Sequence, residues 1–131
     1  MAREGLVDIK QKEHIQKRAA ELMQRYLRHP ISQQVAQAEE KHHELPYSYT
    51  AKGRTENGII DLLYRDENGW TVLDFKTNYI DTPELKADLR ERYSRQINRY
   101  AIMVQTQMKT PVRKFLCFLD DLGGISIEEL Q

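Results

Sequence analysis

Gly58-Ile-Ile-Asp61-Leu-Leu-Tyr-Arg65, then Asp66-Glu-Asn-Gly69, then Trp70-Thr-Val-Leu-Asp74-Phe-Lys76 is the stretch that decides the fold. Each apolar run reads as a strand, and Asn68-Gly69 between them is a strong hairpin signal. A four-residue loop (66–69) pairs Arg65 with Trp70 and sets Asp61 directly opposite Asp74. A two-residue Asn-Gly turn pairs Glu67 with Trp70 instead, which sets Asp61 opposite Lys76 and diagonal to Asp74. In both registers the three charged side chains share one face, because strand side chains alternate with period 2. Directly opposed carboxylates lie only ~5 Å apart, and like charges there destabilise a sheet. Lys76 offsets part of that repulsion, and a divalent cation is the natural source of the rest.

The runs on either side order themselves around this hairpin. Ile15, Ala19, Leu22, Met23 and Tyr26 recur at helical spacing over residues 10–28, and Pro30 after His29 opens a second short helix through about Lys41. Residues 43–50 read as a first strand, with Pro46 marking an edge or a bulge, and 52–57 as a turn. Thr82-Pro83 starts a long helix with a cap residue and a first-turn proline. Its apolar face is Leu85, Leu89, Tyr93, Ile97, Tyr100, Ala101, Val104 and Met108, and Pro111 marks its end. A fourth strand follows over 112–119, then a turn at 121–124 and a short strand over 125–127. We therefore expect one α/β domain over 1–131, helical through residue 41 and with its core over 42–131.

At 131 residues the chain is long enough for a real core, and its formal net charge of zero does not by itself announce a nucleic-acid partner. Charge is locally uneven: residues 90–99 hold Arg90, Arg92, Arg95 and Arg99 against Glu91 alone. Such a stripe can track phosphates, although a solvated helix face is the commoner meaning. The single cysteine, Cys117, cannot form an intrachain disulfide or a four-thiolate iron–sulfur or zinc site, which favours a cytoplasmic protein. Neither a secretory leader nor a membrane span is expected.

An acid followed two residues later by lysine occurs at Asp8, Glu39, Asp74 and Glu84. Only Asp74 sits in an apolar strand with a second acid facing it. The bland reading is an ion pair that stabilises the hairpin, with Asp61 bonding turn amides. Burying two acids and a base costs several kcal/mol per ion unless compensated, so a functional site is the better reading. Asp61, Asp74 and the Phe75 carbonyl offer hard oxygens suited to Mg²⁺, with Mn²⁺ as a substitute. Such a metal lowers the pKa of bound water and neutralises charge on phosphorus oxygens, and Lys76 orients or deprotonates the attacking water or stabilises the transition state. Gln96 lies on the apolar face of the long helix, one turn from Tyr100, where it suits substrate positioning or support of the metal ligands. Arg92 and Arg95 are weaker candidates for phosphate contacts.

Gly58-Ile-Ile-Asp61, Asp74-Phe-Lys76-Thr-Asn78 and Gln96-Ile-Asn-Arg-Tyr100, in this order, resemble the RecB/AddA-like nuclease domain of the PD-(D/E)XK superfamily, and Glu44-Leu-Pro-Tyr47 looks like the segment before the first acid. The resemblance covers roughly residues 30–120. It implies a restriction-endonuclease-like mixed sheet flanked by helices and Mg²⁺-dependent cleavage of DNA in end processing, recombination or repair, with exonucleolytic cutting favoured over endonucleolytic and the choice left open. It also implies a partner helicase, either in the same chain, of which this would be the C-terminal part, or separate from a small stand-alone nuclease. By resemblance Asp61 and Asp74 hold metal with the Phe75 carbonyl, and Lys76 is catalytic. The family usually adds a histidine or glutamate from its first helix, often as Gly-x-x-x-His, and this chain has no such match. Glu13 and His14 are the nearest candidates, with His42 and His43 behind them. An incomplete or partner-dependent site is therefore expected. The alternative class is a catalytically weak DNA-binding or interaction module that keeps the fold.

Overall fold

A computed structural model describes residues 9–131. The elements run α1 (Ile9–Arg28), α2 (Pro30–Ala36), β1 (Glu40–Ala51), β2 (Arg54–Asp66), β3 (Gly69–Lys76), α3 (Pro83–Met108), β4 (Val112–Asp121) and β5 (Gly124–Leu130). The strands form one mixed sheet in the order β1-β2-β3-β4-β5, antiparallel except for the β3/β4 pair. Parallel neighbours need a crossover connection, and α3 supplies it.

Helices cover both faces, which suits strands apolar on both sides. On one face Ile60, Leu63, Val72, Leu116 and Phe118 pack with Leu89, Ile97, Tyr100 and Val104 of α3. On the other, Leu62, Tyr64, Leu73, Cys117 and Leu119 pack with Leu22, Ile31 and Val35 of α1 and α2. Thr82 caps α3 as its sequence indicates, its Oγ1 accepting the Leu85 N–H at 3.1 Å. Burial pushes the Cys117 thiol up to about 12, so it stays a protonated core residue.

Several expectations need correction. The second helix stops at Ala36 rather than near Lys41, and β1 begins at Glu40. The Glu39 N–H goes to the Arg65 carbonyl and Glu40 pairs with Arg65, so sheet pairing captures residues assigned to the helix. The expected six-residue turn over 52–57 is only Lys52-Gly53, with φ of 52° and 75°. Two successive left-handed residues make a tight hairpin turn, and residues 54–57 join β2. The apolar face of α1 is only partly used: Leu22 is buried, whereas Ile15 and Met23 are more than half exposed. Met108, assigned to the buried face of α3, is exposed. The last strand is longer than expected, reaching Leu130.

Helix α1 is fastened by charge as much as by packing. Asp120 of β4 is almost fully buried and takes Arg18 Nη1 at 2.7 Å and Arg25 Nη1 at 3.0 Å. Arg18 Nη2 also donates to the Thr77 carbonyl at 2.7 Å, and Arg25 Nη1 to the Leu119 carbonyl at 2.9 Å. Burial pushes the Asp120 carboxyl up, but the two guanidinium groups outweigh it and hold it below the usual aspartate range.

Candidate active site

The hairpin adopts the first of the two possible registers. Arg65 pairs with Trp70, and pairing continues back to Leu62↔Leu73. The next step would set Asp61 opposite Asp74, but the ladder stops there. Asp61 Oδ2 instead accepts the Phe75 N–H at 2.9 Å. The two strands therefore part where the acids sit, and a side-chain oxygen replaces the backbone acceptor. N–H and C=O of one strand residue point to the same edge, so the Phe75 carbonyl faces the same gap.

The parting coincides with a change of face. Ile60 packs on the α3 side and Leu62 on the α1 side, so β2 does not alternate through Asp61. Strand β1 changes with it: His43 lines a groove against α1, whereas Leu45 packs on the α3 side. Between the pairs His43↔Leu62 and Leu45↔Ile60, Glu44 falls opposite Asp61 and carries a left-handed φ of 51°. A non-glycine residue in that region is strained, and strain of this kind gathers at functional sites.

Asp74 is 3% exposed and Lys76 Nζ lies 2.8 Å from its Oδ2. That oxygen nonetheless has no aligned hydrogen-bond donor, so the contact is an ion pair without good directionality. Burial, with the Asp61 carboxyl beside it, pushes Asp74 up to about 7 against the opposing pull of Lys76. Lys76 Nζ also donates to Gln96 Oε1 at 3.3 Å and sits 4.2 Å from the centre of the Tyr93 ring. The Tyr93 hydroxyl donates to Asn78 Oδ1 at 3.1 Å. Tyr100 is buried near both acids, and burial pushes its hydroxyl up to about 12, with a Gln96 hydrogen bond acting in the opposite sense.

Asp61, Asp74, Phe75, Lys76, Gln96 and Tyr100 thus come together at the end of β3 and the facing side of α3. Arg92 and Arg95 do not join them. Both are exposed on α3, Arg95 lies 3.7 Å from Glu91, and Arg92 makes no ion pair among the described residues. Glu13 and His14 are exposed on α1. Among the described residues no three His, Cys, Asp or Glu side chains group so as to hold a metal, so neither completes a triad with the two acids, and nor does His42 or His43. His42 pairs with Glu40 at 2.7 Å. Tyr93, placed by its spacing on the apolar face of α3, also contacts Lys76 and Asn78, and its position three residues before Gln96 is the signal for those contacts. The strained Glu44 backbone had no local signal beyond its neighbour Pro46.

The donors present suit a hard cation. Two carboxylates and a peptide carbonyl are oxygen ligands, and a buried oxygen without a directed donor is where a cation would be held. None of the described helices is long and apolar enough to cross a membrane.

A profile of the PD-(D/E)XK nuclease superfamily matches residues 2–130. The chain is 31% identical over 115 residues to an ATP-dependent helicase/nuclease protein of Staphylococcus saprophyticus, and the match covers 75% of this chain and 9% of that protein. It is 34% identical over 96 residues to the protein of the same name from Desulfitobacterium hafniense, covering 66% of this chain and 7% of that one. The namesake from Heliobacterium modesticaldum is 27% identical over 116 residues, covering 76% and 8%. The chain therefore spans less than a tenth of the length of these relatives. With paired acids and a lysine on parting strands of a mixed α/β sheet, and a family match over nearly its whole length, the chain belongs to the PD-(D/E)XK nuclease superfamily.

Proposed function

We propose that this chain is a nuclease core of RecB/AddA type that hydrolyses phosphodiester bonds in DNA with Mg²⁺. The observation that carries the reading is the buried Asp74 carboxyl, paired with Lys76 and neighboured by Asp61 where two strands separate. Asp61, Asp74 and the Phe75 carbonyl would hold the metal, which when bound supplies a water of lowered pKa and neutralises charge on the phosphate. Asp74 must give up its proton to serve as a ligand, so the site fills more readily as pH rises through about 7. Lys76 donates to the oxygen that gains charge in the transition state. Gln96 and Tyr93 hold the lysine's amine in place, by a hydrogen bond and a ring face. Arg92 would meet phosphates next to the scissile one, since Arg92, Gln96 and Arg99 share a stripe on α3 at i, i+4 and i+7.

The relatives named as helicase/nuclease proteins support DNA as substrate and a helicase as partner, either joined to this chain or separate from it. A second reading, a weakly catalytic DNA-binding module, draws on the lack of a third metal-binding side chain beside the two acids among the described residues. Mg²⁺-dependent cleavage of linear and circular DNA tests the first reading. Tight DNA binding without cleavage at any Mg²⁺ or Mn²⁺ concentration would establish the second.

A further inference from the structure

Tyr47 of β1 and Gly58 of β2 are direct partners across the first hairpin. Gly58 does not have a left-handed φ, so conformational freedom is not why a glycine stands there. The space is taken instead. A methyl group on Gly58 would lie 2.4 Å from Tyr47 Cε1 and 2.7 Å from its Cζ and hydroxyl, all far inside van der Waals contact. The Tyr47 ring therefore fills the space that a side chain at Gly58 would need. From that seat it meets the buried Tyr100 ring edge-on, with centroids 4.9 Å apart and planes at 70°. Gln96 stands one helical turn before Tyr100 and accepts the hydrogen bond from Lys76.

We propose that Tyr47, seated on Gly58, is a positioning residue for the nuclease site: it braces Tyr100 and thereby fixes the stretch of α3 that presents Gln96 to Lys76. The geometry links an edge hairpin to the lysine in three contacts: ring on glycine, ring on ring, then amide on amine. An ion pair between Arg99 and Glu56 at 3.5 Å ties the same hairpin to α3 at its outer side, but both partners are about half exposed and screened by water. The aromatic contact is the less exposed connection, with Tyr100 buried and Tyr47 partly buried. Any side chain at position 58 must displace the ring. Because the ring ends a rotatable side chain, it swings away without unfolding the strand. The consequence for catalysis rests on the nuclease reading, whereas the bracing of Gln96 and Lys76 does not.

The test is a double-mutant cycle on the full chain, with linear duplex DNA and Mg²⁺ as the cleavage probe and NMR signals of the Gln96 amide and the Lys76 ammonium as a second readout. Gly58→Ala and Tyr47→Ala should each lower the single-turnover rate about 10- to 100-fold, as small misplacements of catalytic groups do, with DNA affinity unchanged. Tyr47→Phe, which keeps the ring, should retain the wild-type rate. In a Tyr47→Ala background Gly58→Ala should cost little more, because the three atoms nearest the methyl are then gone. The Gln96 and Lys76 signals should move in both single alanine variants and stay in place in Tyr47→Phe. Unmoved Gln96 and Lys76 signals in Gly58→Ala, or an undiminished penalty of Gly58→Ala without the Tyr47 ring, overturns the proposal. If Gly58→Ala does not fold, Tyr47→Ala against Tyr47→Phe decides by the same signals. A wild-type chain that cuts nothing contradicts the nuclease reading alone, and the NMR signals still decide the bracing.

Discussion

Asp74 carries its buried carboxyl at a cost that the rest of the chain offsets only in part. Its folded value of about 7 lies above the ordinary aspartate value of ~3.9, so between those pH values the folded state holds a proton that the unfolded state has released. Stability of the metal-free protein should therefore fall as pH rises through this window, by at most about 1.4 kcal/mol per pH unit from this group. Asp120 and Asp121, held below their ordinary values, act with the opposite sign and only at lower pH. Thermal melts of Asp74→Asn should show a shallower decline from pH 4 to 7 than wild type, and equal slopes would remove the burial argument. Lys76→Met keeps the aliphatic stem while deleting the charge. It should lower the single-turnover cleavage rate much more than DNA or metal affinity, and an unchanged rate would return Lys76 to a purely structural ion pair.

At the scale of elements, α1 depends on Asp120 because its apolar stripe is half unused. Asp120→Asn should cost about 1–3 kcal/mol, the usual worth of hydrogen bonds to a charged group, with loss of amide protection concentrated in α1. Uniform loss across the sheet would instead mean that α1 is held by its Leu22 contact. On α3, replacing both Arg92 and Arg95 should weaken DNA binding and reduce its salt slope, and an unaltered slope would make that face ordinary surface. The elements were legible where local chemistry decides them: the Thr82-Pro83 start of α3, the β2–β3 hairpin and the tight order of strands. Boundaries failed where pairing with distant residues decides them. Glu40 continues a helical pattern on its own and becomes sheet only because Arg65 is there to pair with it, while the Glu39 N–H just before the strand bonds the Arg65 carbonyl. The β1–β2 turn shrank because Lys52 accepts a left-handed conformation that its residue type does not advertise.

Over the whole molecule, the sheet order and the flanking helices put both acids, Lys76 and the Gln96–Tyr100 pair at one place, as the three spaced motifs indicated. Period-2 and period-3.6 patterns encode which residues share a face, and that much of the site follows from them. They do not encode the parting of β2 from β3, the face change at Glu44 and Asp61, or the clamp from Asp120 to α1, all of which arise from contacts between segments far apart in sequence. On the proposed function, the two acids and Lys76 form a metal-dependent phosphodiesterase centre. The most direct measurement is cleavage of linear duplex DNA with Mg²⁺ by wild type and by Asp74→Ala, each also titrated with Mn²⁺ by calorimetry. Wild type should cut with Mg²⁺, a folded Asp74→Ala should not, and the variant should bind Mn²⁺ at least tenfold more weakly, about 1.4 kcal/mol. Cutting at the wild-type rate by Asp74→Ala would contradict the proposed function.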